Sequence, residues 1–185
     1  MPPSARHGHL SEEQIKELLA AAAPRNRAIF HLLYAYALRV SEPLLLKRTD
    51  ISVDSIAITR KKGSQSGTYQ MLPEVWASLT AWLQMAPMSP WLFPGRDSSR
   101  ALTPRAVEFA MRAVGQEIDL PPNLAHPHAL KHSAATHLAL RFPLPVVAAW
   151  TGHRALRMLG TYVEDKSTEF LTNARGQIAD YLKRK

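Results

Sequence analysis

The sequence contains no cysteine. That excludes disulfide bridges and thiolate metal sites. Its opening residues, MPPSARHGHLSEEQ, hold no apolar core of the signal-peptide kind. No stretch approaches the ~18 apolar residues that a membrane span requires, and the chain has neither an internal repeat nor a low-complexity tract. A soluble, cytoplasmic protein is the expectation from these absences. Negative charge is scarce, with 15 Asp and Glu against 23 Lys and Arg, a net charge of +8. Such a balance suits a polyanionic partner, nucleic acid first and an acidic membrane surface second. What remains is ordinary for a globular chain. A 46% hydrophobic fraction over 185 residues supports one domain with its own core, or one domain and an arm.

Helical signals dominate. Ser11 followed by Gln14 forms a capping-box pattern, Glu12 and Glu13 suit the positive end of a helix, and Ile15, Leu18, Leu19 and Ala22 recur at helical spacing. This predicts a helix over 11–23, then a second over 26–38 carrying Ile29, Phe30, Leu33, Tyr34 and Ala37. A short third starts at Ser41 with Pro43 in its first turn. DISVDSIAIT and GTYQMLP read as strands on either side of RKKGSQSG, a basic hairpin tip. Helices return over 73–85, over 103–118 with Thr103 as cap and Pro104 at its first position, and from His128 onward with breaks near 142–145 and at Gly152. The last stretch is amphipathic, with Phe170, Leu171, Ala174, Ile178 and Tyr181 on one side. The sum is a mainly α (α+β) domain with a small antiparallel sheet.

Four motifs in order resemble the tyrosine recombinases, or phage-type integrases. LLYAYALRVSEPLLLKRTDI is similar to their first signature, where a short turn holds LRxSE. HALKH, residues 128–132, resembles HxxRH. TGHRALRMLGTY resembles the GH motif followed nine residues later by a tyrosine, a spacing met by His153 and Tyr162. KKGSQSG occupies the place of the family's lysine hairpin and is similar to the KGSxSG of the small fimbrial-switch invertases. The resemblance spans about residues 10–165. It implies a helical catalytic domain over 11–165 with a small three-stranded antiparallel sheet, preceded by a flexible arm (1–10) and followed by an amphipathic helix (166–185) that docks on a neighbouring subunit or folds back on its own domain.

The chemistry implied is site-specific recombination without metal, ATP or other cofactor. Tyr162 attacks a DNA phosphodiester and forms a 3′-phosphotyrosyl link that a second DNA end reverses. Charge develops on the non-bridging oxygens, so fixed cations are needed. Arg39 grips two phosphate oxygens in a fork. Lys62, with Lys61 as the alternative, protonates the departing 5′-oxygen from a hairpin that closes over DNA. His128 orients or shares a proton, His153 donates to the phosphate, Lys131 supplies the second cation, and His132 supports them. Arg105 and Arg112 on the 103–118 helix are candidate DNA contacts. The partners implied are double-stranded DNA, further copies of the chain as a dimer or tetramer on DNA, and accessory DNA-bending proteins. A zinc reading of His128 and His132, spaced i and i+4, fails on Ala129, which stands where a metalloprotease has glutamate, and on the absence of an acidic third ligand nearby.

Three departures from the family pattern bear on activity. Lys131 stands where the family has its second arginine. Losing the guanidinium fork costs about 2–4 kcal/mol of transition-state stabilisation. About ten residues precede the first expected helix, so the core-binding domain of larger members is expected to be missing. Thr151 replaces the usual leucine before GH. An alternative therefore stands beside the recombinase, a recombinase-fold DNA-binding regulator or accessory protein with weak or no strand exchange.

Overall fold

The computed structural model describes residues 8–61 and 64–152. Helix α1 spans Glu12–Ala21, with the Ser11 hydroxyl accepting from the Gln14 amide and the Gln14 side chain accepting from the Ser11 amide. The capping box is thus complete, and such a cap stabilises a helix start by about 1 kcal/mol. Helix α2, Pro24–Ala35, starts with proline at its first position. It is the centre of the fold, packing against α1 and the later α3, α4 and α5, with Ala28, Ile29, Phe30, Leu32 and Leu33 fully buried. Each large apolar side chain so buried contributes roughly 1.5–3 kcal/mol. The 3-10 turns Pro43–Leu45 and Arg48–Asp50 lead to strand β1, Ser55–Ile58, which pairs antiparallel with β2, Gly67–Gln70. Helices α3 (Pro73–Leu83), α4 (Pro104–Glu117), α5 (Pro127–Arg141) and α6 (Leu144–Thr151) complete the order.

The mainly helical class is as expected, but three details differ from the sequence reading. Among the described residues the sheet has two strands, not three. Where a longer first strand was expected, Ser52 accepts from the Asp54 and Ser55 amides and curls the chain, leaving an isolated Ile51–Ile56 bridge. Helix α2 stops at Ala35 and not at 38. The Ala37 amide donates to Tyr34 O and the Leu38 amide to Leu33 O, with Ala37 at φ 49, a Schellman ending without glycine. Finally, residues 8–10, assigned to the arm, belong to the body. Leu10 is fully buried, and its amide donates to Ser133 Oγ at 2.8 Å. Thr103 caps α4 with Pro104 at its first position, as the sequence indicates.

Candidate active site

The last carbonyls of a helix lack partners within it and carry the negative end of its dipole. At the end of α2 the side chains of three other segments supply the donors. Trp150 Nε1 of α6 donates to Ala35 O (2.8 Å), Arg60 Nη2 after β1 to Tyr36 O (2.9 Å), and Lys131 Nζ of α5 to Ala37 O (2.7 Å). Two of the three donors are cations, the sign a helix C-terminus favours. These bonds fix the backbone immediately before Arg39.

Arg39 leaves this end and is held through one edge of its guanidinium. Nη1 donates to Glu42 Oε1 (3.2 Å), Lys61 O (3.0 Å) and Ser64 Oγ (2.9 Å). Nε and Nη2 make no hydrogen bond among the described residues, and the side chain is 24% exposed. One edge of the fork is therefore anchored, and the remaining donors point to no partner among the described residues. Glu42 does the anchoring. It is 2% exposed and also accepts from the amides of Arg39 (2.8 Å) and Lys61 (2.9 Å), tying the turn after α2 to the hairpin.

Lys131 lies on the buried side of α5 at 4% exposure. Burial first, then the neighbouring Arg39 and Arg60, press its pKa from 10.5 down to about 8, and Glu42 works against them. His128, in the first turn of α5, is exposed and stacks with His126 at 6.4 Å. Partial desolvation, then His126, Lys131 and Arg39, hold its pKa below the usual histidine value. Such shifts mark a concentration of positive charge with Glu42 as its buried carboxylate.

Arg60 is the residue that sequence reasoning missed. It is 6% exposed. Besides Tyr36 O, it donates to Trp150 O (3.0 Å) and, through Nε, to the Tyr69 hydroxyl (3.2 Å). The available signal was parity. Ile56 and Ile58 are the buried positions of β1, and Arg60 continues their alternation into the interior. Glu42 was visible only as part of LRVSE.

The structure brings together Arg39, Lys131 and the Lys61 backbone, with His128 electrostatically coupled to the first two. His132 sits half-buried on α5. Arg105 and Arg112 are exposed on α4, beside a shallow depression of about 560 Å3, and Arg105 lies over the Phe109 ring at 5.4 Å. Neither is bonded to the cluster. Lys62, His153 and Tyr162 lie outside the described residues, as does the segment 166–185. Among the described residues on either side of them, the Gln65 amide of the hairpin donates to Gly152 O at 3.0 Å. Among the described residues no cluster of three or more His, Asp or Glu is placed to hold a metal ion.

The site is thus a helical body with the Lys61 end of a hairpin held against Arg39, beside the buried carboxylate of Glu42 and the buried amine of Lys131. The chain belongs to the phage integrase family, whose model matches residues 9–169. It is 31% identical over 145 residues to tyrosine recombinase XerD of Caulobacter vibrioides, covering 70% of this chain and 48% of that protein. To tyrosine recombinase XerC of Methylobacterium sp. strain 4-46 it is 33% identical over 157 residues, covering 80% and 48%. The chain thus spans about half the length of these curated relatives. Its fold resembles that of XerA recombinase, with a TM-score of 0.78 at 23% identity, covering 95% of this chain and 66% of that one. It also resembles the XerH site-specific recombinase bound to a palindromic difH substrate in a post-cleavage complex, with a TM-score of 0.74 at 23% identity, covering 91% and 52%.

Proposed function

We propose that this chain is the DNA-cleaving part of a site-specific recombinase, which cuts and rejoins double-stranded DNA through a 3′-phosphotyrosyl link to Tyr162. One observation carries the reading. Arg39, Arg60 and Lys131 gather at the end of α2, with Glu42 the one buried carboxylate among the described residues, an excess of positive charge that a phosphate would balance. Arg39 keeps two donors for the non-bridging oxygens, and His128 adds a neutral or cationic donor at the rim. Lys62 follows directly on Lys61, and His153 directly on Gly152, so the general acid and the second phosphate donor enter from segments already bonded to each other. In this reading residues 11–165, with residues 8–10 packed onto them, form the catalytic domain. Lys61, His132, Arg105 and Arg112 contact the duplex, and accessory DNA-bending proteins assist assembly in the cytoplasm.

The relatives named as recombinases, and the neighbour seen on a cleaved substrate, support the assignment. Self-association on DNA has a matching surface. An apolar groove of about 310 Å3, lined by Ala35, Leu72, Leu138, Phe142, Val147 and Trp150 among others, suits the apolar side of residues 170–181 from a second copy. Removal of residues 166–185 should then abolish multimers on DNA in sedimentation, whereas an unchanged assembly removes this part of the proposal.

A second reading, a DNA-binding regulator with weak strand exchange, is favoured by Lys131, whose amine is dry and committed to Ala37 O. The two readings separate on a nicked duplex selected by the protein from randomised DNA. A recombinase forms an SDS-resistant adduct that Tyr162→Phe abolishes. A regulator binds the same duplex without an adduct.

A further inference from the structure

Arg60 joins more of the site than any other described residue. Its guanidinium reaches the end of α2 (Tyr36 O), α6 (Trp150 O) and β2 (the Tyr69 hydroxyl), while Arg60 itself opens the hairpin loop that carries Lys61 and Lys62. Its stem is equally engaged. A Cβ on Gly152 would lie 2.6 Å from Arg60 Cδ and 2.7 Å from Nε, and Gly152 adopts φ 74, which only glycine takes without strain. The turn before His153 therefore rests directly on Arg60. Tyr36, Tyr69 and Trp150 pack their rings against one another around it at 5.6–5.9 Å, with the guanidinium 5.3 Å from the Tyr69 ring centre.

An arginine is a costly choice here. It is a buried cation close to Lys131, and its Nη1 has no partner among the described residues. An apolar side chain of similar size would avoid desolvating that charge, at the cost of leaving Tyr36 O and Trp150 O without this donor. An apolar side chain could not hold two carbonyls and a hydroxyl from three segments at fixed separations.

We propose that Arg60 is a positioning residue of the strand-cleavage site, clamping the base of the lysine hairpin to the Gly152 turn and to the end of α2, so that the groups these segments carry meet the phosphate together. The proposal rests on the strand-cleavage reading above. Arg60 acts through Arg39, the hairpin lysine and His153, and in this arrangement it is too deeply covered to touch DNA.

The test uses the full chain with Arg60→Met and Arg60→Lys. Amide exchange followed by NMR should show the Gln65 amide, bonded to Gly152 O, exchanging at least about tenfold faster in Arg60→Met, with the core amides of α2 unchanged. On a nicked duplex selected from randomised DNA, the dissociation constant should stay within about threefold of wild type. Adduct formation should slow by about 100-fold, the scale of a small misplacement of reacting groups. Arg60→Lys should recover part of that loss, because an ammonium can still hold one of the carbonyls. It also carries both readouts if Arg60→Met does not fold. Unchanged Gln65 exchange, an adduct rate within threefold of wild type, or exchange accelerated throughout the chain overturns the proposal. If the wild-type chain forms no adduct at all, the strand-cleavage reading fails, while the Gln65 exchange still decides whether Arg60 is the clamp.

Discussion

Replacing Lys131 with methionine should change how the protein's stability responds to pH, and the size of the change follows from the burial of this lysine. Its amine is 4% exposed and bonded to Ala37 O, and its pKa lies at about 8 where 10.5 is usual. Burial is the main cause, and Arg39 and Arg60 add to it. Between those two pKa values the unfolded chain keeps the proton and the folded chain does not. The unfolded state binds more protons there, so stability rises as pH climbs from 8 to 10.5 and is lost as pH falls back through 8. Between pH 7 and pH 10 this one group should raise wild-type stability by roughly 2.5 kcal/mol. Lys131→Met removes that dependence and the cost of burying the charge, but leaves Ala37 O without its donor, a penalty of about 1–3 kcal/mol. At pH 7 the variant should then be about as stable as wild type or up to ~2 kcal/mol more stable, and at pH 10 wild type should have gained the full difference on it. Urea unfolding of both proteins at both pH values cancels the titrations they share. A wild-type minus variant difference that does not move with pH would refute the argument that this lysine is buried as a strained cation.

Three further outcomes follow from the same geometry. Lys131→Arg should speed adduct formation by tens to hundreds, since a second bond to the phosphate contributes about 2–4 kcal/mol in the transition state. The fall in wild-type rate above pH 8 should vanish with it, because a guanidinium does not titrate there, and an unchanged or lower rate would remove the claim that the fork is what is missing. Ala37→Gly should raise the melting temperature by a few degrees, since relieving a left-handed alanine at φ 49 returns about 1 kcal/mol. A lower melting temperature would contradict the Schellman ending. Glu42→Gln should destabilise the fold by about 3–5 kcal/mol in urea, because the charge that three donors share is removed from beside Arg39. It should also move the alkaline fall in adduct rate to lower pH, since Glu42 is what raises the Lys131 pKa.

Features governed by near neighbours could be read from the sequence. The Ser11–Gln14 box and the Thr103–Pro104 start depend on residues three or fewer positions apart, and both stand in the structure. The family motifs located Arg39, His128 and Lys131, which the fold brings to one place. The end of α2 was misplaced because its left-handed position holds Ala37, and no glycine announces it. The first strand was drawn too long because the Ser52 turn competes through side-chain bonds that alternation of polar and apolar residues does not register. Arg60 and the true setting of Lys131 were out of reach for a different reason. Their acceptors, Tyr36 O, Trp150 O and Ala37 O, lie 24, 90 and 94 residues away along the chain. A basic residue in a hairpin reads as solvated charge until the fold shows what covers it.

The central claim is that this cluster activates a tyrosine against DNA, and one measurement meets it directly. The full chain is incubated with the selected nicked duplex, denatured in SDS, digested with protease and nuclease, and the surviving nucleotide-bearing peptide is sequenced by mass spectrometry. The account predicts a nucleotide joined through its 3′-phosphate to Tyr162, formed at a rate that falls as pH rises through about 8, where Lys131 loses its charge. A nucleotide on any other residue, or tight binding with no covalent species, would contradict it.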